Sequence, residues 1–162
     1  MRLLLVCVVI LSFQPVSAFS ADLVLSPRGY GHIRFGQTLK HAETTLNERP
    51  KADEPDEACT YVSFRKYPNV RFMVEDGVIT RADVDAAIQN ISGIKVGMSI
   101  ANAKRIQPRL KVEPHKYDPD GHYLTLSTRR KQFSLVFETD KFKVTDIRGG
   151  MQPSVGYVEG CL

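Results

Sequence analysis

Ile33-Arg34-Phe35-Gly36-Gln37-Thr38-Leu39 returns as Ile94-Lys95-Val96-Gly97-Met98-Ser99-Ile100, and Ala42 then falls on Ala103. A segment repeated at a fixed offset marks one supersecondary unit built twice. Each copy runs from a short apolar stretch through a glycine into a helix. In the first, Thr38 is placed to cap the helix, its hydroxyl accepting from a backbone N–H one turn in. Leu39, Ala42 and Leu46 share a face at helical spacing. Pro50 ends the helix, because the residue before a proline avoids the α region. In the second, Ser99 takes the capping role, Ile100, Ala103 and Ile106 form the stripe, and Pro108 is the stop. Helices of about ten residues are marginal alone and must be held by packing.

Three strand-like runs follow each helix. In the first unit they are 59–66, 70–75 and 78–84, with Tyr67-Pro68-Asn69 and Asp76-Gly77 as turns. Asp-Gly is a strong hairpin signal, since a type I′ turn needs positive φ. In the second they are 122–128, 133–138 and 142–148, joined by Arg129-Arg130-Lys131 and Thr139-Asp140. Late in the unit Glu75 aligns with Glu138, Asp83 with Asp146 and Val84 with Ile147, which predicts a short insertion between helix and last strands.

Alternation assigns the faces. Val62, Phe64, Val70, Phe72 and Val74 point under the first helix, as Leu124, Leu126, Phe133, Leu135 and Phe137 do under the second. The opposite face carries Tyr61, Ser63, Arg65, Arg71, Met73 and Glu75, and in the second unit Tyr123, Thr125, Ser127, Ser134, Val136 and Glu138. The third strands are ambiguous: Ile79 and Phe142 agree in parity, but Ala82 and Val84 sit on the other. The expected fold class is α+β, two tandem repeats, each a short helix packed on a three-stranded antiparallel sheet. The first repeat covers 19–90 and the second 91–162. A unit this small barely stabilises itself, so the two are expected to extend one sheet and share a core.

Residues 1–18 read as a secretory signal peptide. Arg2 gives the positive region, Leu3 to Phe13 the apolar run, and Val16-Ser17-Ala18 the small residues before a cut. That run falls well short of the ~20 residues of a spanning helix. No stable membrane insertion is expected after cleavage, and the expected location is periplasmic or secreted. The chain of 162 residues carries 22 Lys and Arg against 18 Asp and Glu. A surplus so small and dispersed argues against a nucleic-acid partner. Beyond the leader two cysteines remain, Cys59 and Cys161. In an oxidising compartment such a pair is most simply a disulfide, tying the C-terminal tail back to the first repeat; the alternative is two buried thiols.

Phe35-Gly36-Gln37-Thr38, echoed by Val96-Gly97-Met98-Ser99, resembles the helix start of the β-lactamase-inhibitor-protein-like fold. The same helix-plus-sheet unit occurs in the SmpA/OmlA type of outer-membrane assembly lipoproteins. The resemblance covers most of residues 31–148. It implies a protein-binding scaffold of the cell envelope. The chain departs from both groups: it lacks a lipid-attachment cysteine, and it has no tryptophan to present as an interface anchor.

The densest polar run is 113–123, where His115, Asp118, Asp120 and His122 are of the type that holds zinc or a similar ion. The rival reading is a proline-punctuated loop whose aspartates make turns. Asp118-Pro119-Asp120-Gly121 lacks the distal glutamate of a calcium loop. Ser127 and Ser134 have no nucleophile-elbow motif around them, and no catalytic residue, metal or cofactor is assigned. The candidates for partner binding are the hairpin tips, Tyr67 and Asn69 with Arg129 and Arg130, since Tyr and Arg dominate interface energies. Tyr61, Tyr123, Arg71 and Met73 on the open sheet face form a second surface. A solvated face and solubilising turns are the alternatives. The expected function is a non-enzymatic, exported protein-binding module with a protein partner in the envelope, as an inhibitor or accessory. An assembly or cell-wall component and a metal-dependent activity at 113–123 are the rivals.

Overall fold

The computed structural model describes residues 23–53 and 58–161. The leader at 1–18 lies outside them. Thr38 Oγ1 accepts from the His41 N–H at 3.2 Å and starts α1, Leu39–Leu46. Ser99 Oγ accepts from the Asn102 N–H at 3.3 Å and starts α2, Ile100–Ile106. Ala42, Leu46 and Ala103 are buried, whereas Ile106 remains 37% exposed. Asn47, in the left-handed region at φ 49, ends α1 ahead of Pro50. The Glu48 carboxylate then accepts the N–H of Arg65 at 2.6 Å and of Lys66 at 3.3 Å, fastening the helix end to the next hairpin.

The glycine before each cap does the same thing twice. Gly36 N–H donates to Ile79 O and Gly97 N–H to Val144 O, both at 2.8 Å. In return Ile79 donates to Gln37 O and Val144 to Met98 O, both at 2.9 Å. The φ angles are +94° and +85°, a region that L side chains adopt only under strain.

The strands are β1 Val24–Ser26, β2 Gly29–Tyr30, β3 Ile33–Arg34, β4 Lys51–Ala52, β5 Cys59–Ser63, β6 Val70–Glu75, β7 Val78–Val84, β8 Gln89–Asn90, β9 Lys111–Pro114, β10 His122–Ser127, β11 Phe133–Thr139 and β12 Val144–Met151. Eight form one sheet in the order β4-β5-β6-β7-β12-β11-β10-β9. Each half of that sheet has four strands, not the three expected, because a short edge strand is added at either end. β7 and β12 join the halves, pairing antiparallel from Arg81–Gly150 to Val84–Ile147. A second sheet, β3-β2-β1-β8, is added to this; its parallel β1–β8 pair ties β1 to the connection between β7 and α2. There Asn90 Nδ2 donates to Ile94 O at 2.7 Å while its Oδ1 accepts from Ser92.

The parity conflict has a local cause. Val74 pairs with Ile79 but Met73 with Arg81, so Thr80 is an extra residue in β7. The bulge turns both Ile79 and Ala82 to the core, each fully buried. β12 bulges at the matching place: Thr139 pairs with Val144 and Glu138 with Asp146. Register therefore matches Met73 with Glu138, correcting the alignment of Glu75 with Glu138 by two residues. Val144, not Phe142, corresponds to Ile79. Asp140 Oδ1 accepts the N–H groups of Phe142 and Lys143 at 2.7 and 2.8 Å, lengthening the turn and leaving Phe142 70% exposed.

One continuous core lies on the helix side, with Phe64, Phe72, Leu124, Leu135 and Phe137 among its largest members. Burial of each such side chain contributes roughly 1.5–3 kcal/mol relative to exposure. Cys59 and Cys161 are disulfide-bonded across 102 residues. Closing so long a loop removes about 4–5 kcal/mol of unfolded-chain entropy at most. No helix among the described residues is long and apolar enough to cross a membrane.

Gly36→Ala and Gly97→Ala should each lower stability by about 1–3 kcal/mol, the usual cost of holding a residue in a sparsely populated region. Chemical denaturation checks this, and unchanged midpoints would contradict the shared geometry. The backbone N–H of Arg65, first among several donors, lowers the Glu48 pKa below the usual carboxylate value. The stabilisation is therefore present above the unfolded carboxylate pKa and lost as pH falls through the lower folded one. Thermal melts between pH 6 and pH 3 should show a smaller acid loss in Glu48→Gln than in the wild type.

Candidate binding face

The sheet face opposite the helices is where the strand alternation places polar and aromatic side chains, and the structure covers its middle. After β12 the chain turns through a short 3-10 helix, Ser154–Gly156, that packs on β7, β11 and β12. Arg81 Nη1 donates to Tyr157 O at 2.5 Å, and Arg148 Nε donates to Val155 O at 2.8 Å. Val155 of this tail is fully buried, and both arginines are only 4% exposed. A buried guanidinium is tolerable only when paired. Arg81 meets Asp83 at 2.6 Å, and Arg148 meets Glu138 at 3.0 Å. The disulfide then pins the tail at Cys161 to β5.

The tail leaves a trough on each side. The first, about 560 Å³, is walled by Tyr61, Arg71, Asp83, Asn69 and Asp146. Arg71 stacks over the Tyr61 ring at 4.3 Å and pairs with Asp53 at 2.7 Å. Burial first, and then the neighbouring Asp83 carboxylate, push the Tyr61 hydroxyl up to about 12. The second trough, about 500 Å³, is walled by Tyr123, Thr125, Lys111, Lys131 and Arg148. The Tyr123 ring stacks on His115 at 4.5 Å.

The residues singled out from the sequence are thus scattered. Tyr61 and Arg71 wall the first trough and Tyr123 the second. Asn69 stands at the first trough's rim, its carbonyl accepting from Asp85 N–H at 3.0 Å. Met73 is fully buried, so it presents no surface, although its parity was read correctly. Tyr67 belongs to the core rather than a tip: its hydroxyl accepts from His32 N–H at 2.9 Å and its ring meets Tyr30 edge-on at 5.2 Å. Arg129 and Arg130 are exposed. They lie at the end of β11 paired with Met151, whereas the 67–69 turn lies beside Val84. Because β7 and β12 are antiparallel, the two tips stand at opposite ends of the sheet and do not form one patch.

Sequence reading missed Arg81, Arg148 and the tail that they hold. Alternating charges on a strand look solvated, and nothing local marks the segment that will cover them. Residues 113–114 and 122–123 belong to β9 and β10, and the turn between them is held by its own side chains as well as by the pairing of Lys116 with Glu159 at 2.9 Å. His115 Nδ1 accepts from Tyr117 and Asp118 N–H at 3.2 and 3.0 Å, and Asp118 Oδ1 accepts from Asp120 N–H at 2.9 Å. Among the described residues no group of three or more His, Cys, Asp or Glu converges on one point. Ser127 and Ser134 hydrogen-bond to each other at 2.9 Å.

Spectrophotometric titration of the tyrosines should show one component ionising near 12. Tyr61→Phe should remove that component, and its persistence in the variant would assign it elsewhere.

Comparison of the chain with protein-family models, with curated proteins and with solved structures gives no match.

Proposed function

We propose that this chain is a non-catalytic, exported binding protein of the cell envelope that holds a protein partner on the sheet face, as an inhibitor of or accessory to that partner. One observation carries the reading: two open troughs with tyrosine and arginine walls flank a tail fixed by a disulfide and two buried arginines. Tyr and Arg are the side chains that dominate binding energy at interfaces. A pre-organised surface loses less entropy on association than a mobile one. Pockets for small molecules are mostly apolar and enclosing, whereas these troughs are wide and open with charged walls, which favours a polypeptide.

We infer further that the halves descend from one duplicated unit. The paired glycine bonds, paired caps and matched bulges support this, and so does the pairing of Asp83 with Arg148 at the centre of the junction. Register makes those two residues counterparts, so a local twofold relates the halves. A tandem helix-plus-sheet arrangement also suits the resemblance to the β-lactamase-inhibitor-protein-like fold.

A photo-crosslinking residue at Ser63 or at Thr125 should yield protein adducts in the envelope of the producing cell. The same residue at Lys104, on the helix side, should yield none. Equal yields at all three positions, or none in the troughs, would remove the sheet face from consideration. Adducts to cell-wall polymer instead of protein would favour the cell-wall rival.

A further inference from the structure

The two troughs occupy corresponding places on the sheet face but carry opposite charge. The first is lined by Arg71 and Arg81 against Asp83, Asp85, Asp146 and Glu159. Arg71 is already paired with Asp53, Arg81 with Asp83, and Glu159 with Lys116. The exposed carboxylates of Asp85 and Asp146 are what remain to act on a ligand. The second trough is lined by Lys111, Lys131 and Arg148 against Glu113. Lys111 is paired with Glu113 and Arg148 with Glu138. Lys131 remains, and it sits in the same exposed turn as Arg129 and Arg130. None of these three has a carboxylate within ion-pair distance among the described residues.

Resting on the protein-binding reading above, we infer that the partner crosses both troughs with a single bipolar segment. Its basic side chains lie beside Asp85 and Asp146, and its acidic side chains lie beside Lys131. Charge complementarity of this kind fixes register and rejects reversed partners. It also sets a length. Asp146 pairs with Glu138 on β11, and Lys131 lies in the turn before Phe133 at the other end of that strand. From Glu138 to Phe133 is five residues, about 17 Å at roughly 3.3 Å each, and the turn adds to it. The partner therefore needs at least about six extended residues between its charged ends.

Synthetic peptides test the length and the polarity together. One carries a lysine block and a glutamate block separated by a polyproline spacer of about eight residues, a stiff rod of roughly 25 Å. Shorter-spaced and single-block peptides are the controls. Linking two weak contacts at the matching span raises affinity by effective concentration, typically by 10² or more. The long-spaced peptide should therefore bind at least about tenfold more tightly than either block alone, while a spacer of about two prolines gives no such gain. Lys131→Glu should reduce its affinity to that of the lysine block, and Asp146→Lys to that of the glutamate block. Both positions are exposed, and circular dichroism checks that each variant is folded. A long-spaced peptide no tighter than the single blocks, or one indifferent to both substitutions, overturns the inference. Trough crosslinks found alongside that result would leave the binding reading standing and remove only the bipolar partner.

Discussion

The antiparallel pairing of β7 with β12 is the contact on which everything else in this molecule depends. It converts two four-stranded half-sheets, each too small to bury an adequate core, into one sheet of eight strands with a common apolar side. It places Asp83 opposite Arg148 and thereby sets the centre of the opposite face. Because the joined strands run antiparallel, the 67–69 turn and the 129–131 turn point to opposite ends of the sheet. This geometry separates the two hairpin tips and sets the two troughs side by side across the tail.

That central face is unusual for a sheet surface because it is both charged and covered. Arg81 and Arg148 are withdrawn from water, and each is compensated twice, by a carboxylate and by a carbonyl of the tail. Removing such compensation leaves a buried charge unpaired, which costs several kcal/mol. The tail is therefore part of the fold and not an appendage. Its position is reinforced from the far end by the disulfide.

The helix starts were legible because they are local. A hydroxyl before an apolar stripe satisfies orphan N–H groups in any context, and a glycine before it permits the positive φ that the tight entry requires. The period-2 runs of β6, β10 and β11 were legible for the same reason. The third strands were not, because a bulge is a property of the pairing: Thr80 and Thr145 look like ordinary strand residues until register leaves each without an opposite number. Tyr67 was misread as an exposed turn residue since proline and asparagine follow it. The β2–β3 segment that covers it, with His32 bonded to its hydroxyl, lies 35 residues away in the chain.

Local chemistry along the chain set the two capped helices, the hairpins, the faces of β5, β6, β10 and β11, and the pair of cysteines available to bridge. These follow from interactions within a few residues, where periodicity and side-chain chemistry act directly. Tertiary structure alone decided that the halves share one sheet, that the C-terminal segment lies across it, and that Met73 and two arginines are hidden while Tyr61 and Tyr123 wall open troughs. Those outcomes depend on which surfaces meet, and burial of Arg81 by a segment 73 to 76 residues later leaves no periodic trace along the chain.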